Sequence, residues 1–188
     1  IDFSFDTLKL GGSAFAQSLG KVGSDVPTVK NPEYFRDAFL AVQDLVKEGL
    51  ILAGHDISAG GLITTLLEMT FANQKGGIEA NLNDIAEKDP VKLLFAENPG
   101  VVIQVKDADK KDIAKMLDNA GVGYVEIGKP IDEREVVVKK DGRTRRFDID
   151  KLRDIWYSTS YRLDTKQSFN GMAKERYSNY KNQPIEHK

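Results

Sequence analysis

Residues 50–71 constrain the fold more tightly than any other stretch. The all-apolar run Leu50-Ile51-Leu52-Ala53 reads as a short strand buried on both faces. It leads into the turn His55-Asp56-Ile57-Ser58-Ala59-Gly60-Gly61-Leu62, and an apolar-faced helix follows with Leu62, Leu66, Met69 and Phe71 directed inward. Strand, glycine-rich turn and helix are the working unit of α/β folds. The order places Asp56 at the carboxyl end of a strand, where ligands of such folds gather.

The flanking sequence extends this grammar. Ser13 after Gly11-Gly12 caps a short helix that Gly20 closes. Asn31-Pro32 starts a longer helix with Phe35, Ala38, Phe39, Val42, Leu45 and Val46 at helical spacing, ended by Gly49. Gly76-Gly77 precedes an alternating strand, Ile78 to Leu82. Val101 to Val105 predicts a strand, and Asp107 caps a helix with Ile113, Met116, Leu117 and Ala120 on one face. Tyr124 to Ile127 predicts another strand. Glu135–Lys139 and Thr144–Ile149 flank Asp141-Gly142, whose residue types favour a type I′ hairpin. The expected fold is an α/β layered sandwich with a mixed sheet, partly ferredoxin-like. After Asp150 a helix over 150–157 packs Leu152, Ile155 and Trp156. From there polar residues with Gly171 and Pro184 predict an extended or loosely helical connector.

Composition removes several function classes. A chain of 188 residues, 40% hydrophobic and 30% charged, is long enough to bury a core. Its net charge of -2 does not suit a nucleic-acid binder. The basic cluster Lys139, Lys140, Arg143, Arg145 and Arg146 reads as a solvated hairpin tip. No cysteine is present, so neither a disulfide framework nor a thiolate site exists, and His55 and His187 are too few for a histidine-rich zinc site. No apolar run reaches the roughly 20 residues of a membrane span. With no initiator Met at Ile1 and no signal peptide, the expectation is a cytoplasmic domain cut from something longer.

The turn has chemistry of its own. Ser58 is expected at the helix N-cap, beside free backbone N–H groups and the positive end of the dipole. Gly60 and Gly61 leave the backbone open to an anion. Asp56 would repel a bare phosphate, but it suits Mg²⁺, which takes one or two carboxylates together with phosphate oxygens and waters. The pattern also admits a plain cap followed by a plain loop, since it is neither a Walker A loop nor a dinucleotide fingerprint. His55 reads as a structural residue. Glu97 reads as a surface turn carboxylate. Trp156, Tyr157 and Tyr161 read as anchors for the connector.

The turn, together with Leu67-Glu68-Met69 and Phe71-Ala72, resembles the phosphoribosylformylglycinamidine synthase family. Leu10-Gly11-Gly12-Ser13-Ala14, Leu94-Phe95-Ala96-Glu97, Val101-Val102-Ile103-Gln104-Val105, Trp156 and Ser158-Thr159-Ser160 extend the match in order along the chain. The likeness is to the large single-chain form, at the second carboxyl-side domain of its aminoimidazole-ribonucleotide-synthetase-like (PurM-like) pair. It implies such a domain over residues 1–155 and a connector over 156–188 toward an absent glutaminase domain. It further implies an ATP-dependent ligase that turns formylglycinamide ribonucleotide and glutamine into the amidine. By the same resemblance Asp56 is a Mg²⁺ ligand, and Ser58, Gly60 and Gly61 contact ATP or ADP. The family carries a catalytic and a retained-ADP site, and the turn is compatible with either. Ala59 departs from the acidic residue of many relatives, and the fragment itself carries no catalytic residue. The alternatives are another ATP-dependent enzyme of the superfamily or a ligand-sensing α/β domain.

Overall fold

The computed structural model describes residues 1–179. The chain forms two compact units. One comprises residues 1–69 with 83–127, the other, among the described residues, 70–82 with 128–179.

The first unit contains helices α1 (Ala14–Ser18) and α2 (Pro32–Lys47), strand β1 (Ala53–Asp56) and most of helix α3 (Gly61–Phe71). Helix α4 (Pro90–Phe95), strand β3 (Val101–Gln104), a 3-10 turn (Asp107–Asp109) and helix α5 (Lys110–Asn119) complete it. Asn31 caps α2, its side chain accepting from Glu33 N at 3.0 Å and Tyr34 N at 3.1 Å. Both long helices of the core end alike. Gly49 N donates to Val46 O and Leu50 N to Leu45 O; Gly121 N donates to Asp118 O and Val122 N to Leu117 O. These are Schellman motifs, which require the positive φ that Gly49 and Gly121 adopt. Each returns an apolar residue to the core formed by Ala38, Ala41, Leu45, Ile113, Leu117 and Val122.

Two sequence expectations change here. Phe39 and Val46 are exposed, because the stripe Ala38, Ala41, Val42 and Leu45 faces inward and those two lie off its flank. The strand starts at Ala53 rather than Leu50. Leu50 is consumed by the helix stop, and Leu52 N bonds Gln104 O at 2.8 Å as the lead-in to the ladder. Strand β1 pairs only with β3, antiparallel, with Asp56 opposite Val101. A two-stranded sheet does not enclose its members, so Ala53, Gly54 and Asp56 are exposed.

The second unit holds a four-stranded mixed sheet. Strand β2 (Gly77–Asn81) lies between β4 (Gly128–Ile131) and β5 (Glu135–Lys140), and β6 (Arg143–Asp148) completes the order β4-β2-β5-β6. Strands β2 and β5 are parallel and the other pairs antiparallel. The expected α/β class with a mixed sheet is therefore present. Val136, Val137 and Val138 are all buried on β5. The hairpin forms as expected, with Asp141 at φ 47° and Gly142 at φ 74°. The expected strand over Tyr124–Ile127 instead begins at Gly128. A Cβ there would lie 1.9 Å from Glu79 O, so only glycine admits the close approach that opens this ladder. Part of the basic cluster is structural. Lys139 pairs with Glu79 at 2.7 Å, Lys140 Nζ donates to Leu82 O at 3.1 Å, and Arg146 pairs with Glu135.

Helix α6 (Ile149–Gln167) runs well past residue 157, and α7 (Met172–Asn179) follows. Ile149 and Arg153 are its buried residues, while Ile155 and Trp156 are half-exposed. The Arg153 guanidinium lies 4.7 Å from the Tyr157 ring centre, and Tyr161 stacks on Tyr177 at 4.5 Å. Arg176 pairs with Asp164 at 2.6 Å. Aromatic and ionic contacts do here what an aliphatic stripe does elsewhere. Pro184 and His187 lie outside the described residues. No helix among the described residues is long and apolar enough to cross a membrane.

Candidate functional site

The turn after β1 belongs entirely to the first unit. Its backbone is tied down on every side. Asp56 O accepts from Thr65 Oγ1 at 3.1 Å, Ile57 N donates to Gly100 O at 2.8 Å, and Gly61 N donates to Ser58 O at 3.0 Å. Asp56 and Ser58 nevertheless face solvent, the Asp56 side chain being 76% exposed. A carboxylate and a hydroxyl two residues apart thus project from a fixed backbone at the carboxyl end of a strand. His55 stands beside them. Its Nδ1 lies 2.8 Å from Asp56 O and 3.5 Å from Asp56 Oδ1, and its Nε2 lies 3.3 Å from Glu68 Oε2 on α3. A shallow groove of about 400 Å³ runs past His55 and Asp56, its other walls apolar and including Val46, Ile51 and Ile103.

Ser58 is not the helix cap. Helix α3 begins at Gly61, so Ser58 precedes it, and the anion at that helix start is Glu97. Glu97 Oε1 accepts from Gly60 N at 2.8 Å and from Ala14 N at 2.7 Å. The same oxygen therefore serves both glycine-rich helix starts picked out in the sequence. Sequence alone makes Glu97 a surface turn carboxylate; the signal that locates its role is two such starts, each lacking an acidic residue in its own first turn. The next residue, Asn98, is buried and bonds Lys9 N, Ser4 Oγ and Thr7 O.

Gly60 and Gly61 also have packing reasons to be glycine. They take φ of 91° and 70°. A Cβ on Gly60 would lie 2.2 Å from Thr64 Oγ1, and one on Gly61 would lie 2.7 Å from Leu94 O and 2.8 Å from Ala96 O. Their bareness lets α3 start directly against the backbone of residues 94–96.

Among the described residues no three His, Cys, Asp or Glu side chains gather to hold a metal. A lone exposed carboxylate fits a hard cation that completes its shell with phosphate oxygens and water, as Mg²⁺ does. It does not fit a cation caged by this chain alone.

An α/β domain with an exposed Asp-x-Ser turn at a strand end defines the class, and sequence comparison supplies the family. Residues 5–141 match the family model described as "AIR synthase related protein, C-terminal domain". The chain belongs to that family. It is 36% identical over 169 residues to an Arabidopsis thaliana protein named as a chloroplastic or mitochondrial phosphoribosylformylglycinamidine synthase, a match covering 89% of this chain and 12% of the relative. The Homo sapiens phosphoribosylformylglycinamidine synthase is 35% identical over 164 residues, covering 85% of this chain and 12% of the relative. The chain thus spans about an eighth of these relatives. Among solved structures, Thermotoga maritima PurL complexed with ATP aligns with a TM-score of 0.58 at 19% identity, over 67% of this chain and 23% of that one. The same protein complexed with FGAR aligns at 0.56 and 18%, over 72% of this chain and 23% of that one. These likenesses establish a shared fold.

Proposed function

We propose that this chain forms one wall of a Mg²⁺-nucleotide site in a phosphoribosylformylglycinamidine synthase, an ATP-dependent ligase of purine biosynthesis working in the cytoplasm. The intact enzyme would take formylglycinamide ribonucleotide, glutamine and ATP to the amidine, glutamate, ADP and phosphate. The observation that carries this reading is the exposed Asp56 carboxylate and Ser58 hydroxyl on a rigid turn, in a chain whose relatives bear that enzyme's name.

Asp56 would hold Mg²⁺, and the Ser58 hydroxyl would bond a nucleotide phosphate. Gly60 and Gly61 keep the turn narrow beside it. When bound, the cation neutralises phosphate charge. The formamide oxygen attacks the γ-phosphorus of ATP and releases ADP; ammonia then adds at the formyl carbon, and phosphate leaves with that oxygen. Ammonia would come from a glutaminase domain of the same parent chain. In this reading residues 1–155 form the synthetase-like domain and 156–188 the connector toward the glutaminase. The AIR synthase family match over residues 5–141 and the nucleotide complexes of the PurL fold relatives support the reading.

The test uses the full-length protein with Asp56→Asn and Ser58→Ala. Adenine nucleotide remaining after desalting, and turnover, are measured for each. Asp56→Asn is expected to lose at least about tenfold in nucleotide affinity, since removing even a supporting partner of a metal ligand commonly costs that much. Ser58→Ala is expected to lose about tenfold or more, the worth of one hydrogen bond to a charged group. Unchanged retention and turnover in both variants would overturn the assignment.

A further inference from the structure

The carboxylate of Glu97 does something the sequence motif does not announce. One oxygen accepts two backbone N–H groups, Ala14 N at 2.7 Å and Gly60 N at 2.8 Å, from segments 46 residues apart in sequence. Gly60 follows Ser58 by two residues, and Gly61 N is bonded to Ser58 O at 3.0 Å. The N–H of Gly60 is therefore committed to the chain's own carboxylate. Ser58 must then present its hydroxyl from a turn whose far end is pinned by that contact.

On the carbonyl side Thr64 Oγ1 donates to Gly60 O at 3.1 Å, while the Gly60 N–H is held by Glu97. Ala59 is exposed and bears only a methyl group, and both glycines adopt positive φ that few other residues tolerate. Asp56 is fixed separately, through Thr65 and the pairing with β3. Two independent ties thus flank the exposed pair, one behind Asp56 and one behind Ser58. Asn98 secures the second tie by bonding Lys9 N, Ser4 Oγ and Thr7 O from a buried position. The negative charge of Glu97 also sits at the start of α3, where the helix dipole favours an anion.

We propose that Glu97 is a positioning residue of the nucleotide site, clamping the Gly60 and Ala14 amides so that the Ser58 hydroxyl is held in its binding position. The inference rests on the reading of Asp56 and Ser58 as nucleotide contacts. It separates the roles within the turn: Ser58 meets the ligand and the Gly60 amide meets Glu97.

The experiment is calorimetric titration of Mg-ADP into the full-length protein and its Glu97→Gln, Glu97→Ala, Asp56→Asn and Leu117→Ala variants, with thermal midpoints from the same samples. The Gln carbonyl oxygen can still accept both amides, so Glu97→Gln is expected to bind within about threefold of wild type, the loss reflecting the dipole alone. Glu97→Ala is expected to weaken binding about tenfold or more. Leu117→Ala removes a buried core side chain away from the turn; it is expected to lower the midpoint and leave affinity unchanged. Wild-type affinity in Glu97→Ala, alongside weakened binding in Asp56→Asn, would overturn the positioning role and leave the nucleotide reading standing. So would equal losses in Glu97→Ala and Leu117→Ala, which would mark a stability effect. Unchanged binding in Asp56→Asn would overturn the nucleotide reading itself.

Discussion

Asp56 and Ser58 face solvent from a turn held by the Thr65, Gly100 and Ser58–Gly61 hydrogen bonds. That is the arrangement expected of side chains whose partner is a ligand. Gly61 shows the opposite pressure at the start of α3, directly before buried Leu62 and Ile63. It sits 2.7 Å, measured from an ideal Cβ, against Leu94 O, with φ at 70°. Replacing it with Ala is expected to cost about 2–3 kcal/mol, from backbone strain and overpacking together. Urea unfolding monitored by circular dichroism would read this as a lower midpoint at unchanged slope. The identity of the turn was legible in the sequence, and so was the placement of Asp56 at a strand end. The Glu97 contact was not, because residues 14, 60 and 97 meet only in the tertiary fold.

At the scale of elements, boundaries set by backbone chemistry were readable and those set by packing were not. Asn31, Gly49, Gly121 and Asp141-Gly142 each mark a cap or turn through a local conformational demand, and each does so in the structure. The start of β1 moved three residues because Leu50 completes a Schellman motif. Helix α6 extended by ten residues because Arg153, Tyr157, Tyr161 and Tyr177 form its packing, which no aliphatic periodicity reveals. The loop between α1 and the chain start carries a further ionic tie. The Asp6 carboxylate lies 2.6 Å from Lys30 Nζ and 2.8 Å from Lys9 Nζ. Lys30 first, and Lys9 next, hold it well below the usual carboxylate range. An acid whose folded pKa is depressed contributes stability above its unfolded value of about 3.9 and loses it as pH falls below that. The thermal midpoint should therefore drop more steeply below about pH 4 in wild type than in Asp6→Asn. Parallel acid limbs in the two proteins would count against this tie.

For the whole molecule, the chain covers 12% of the length of its Arabidopsis and human relatives. The donor set matches that scale. Among the described residues no metal cage exists, and the Asp56 carboxylate stands in a shallow groove open to solvent. Under the proposed reading, phosphate oxygens, water and residues from elsewhere would complete such a site. The fold class was legible in the sequence from alternating strand and helix patterns and the hairpin signal. The division into a two-stranded and a four-stranded sheet was not, because strand order depends on long-range pairing that spacing does not encode. The central claim is that Asp56 binds nucleotide through a divalent cation. Titrating ADP into full-length wild type and Asp56→Asn at a series of Mg²⁺ concentrations tests it most directly. Affinity should rise with Mg²⁺ in wild type and lose that dependence in the variant, whereas the same Mg²⁺ dependence in both proteins would contradict the assignment.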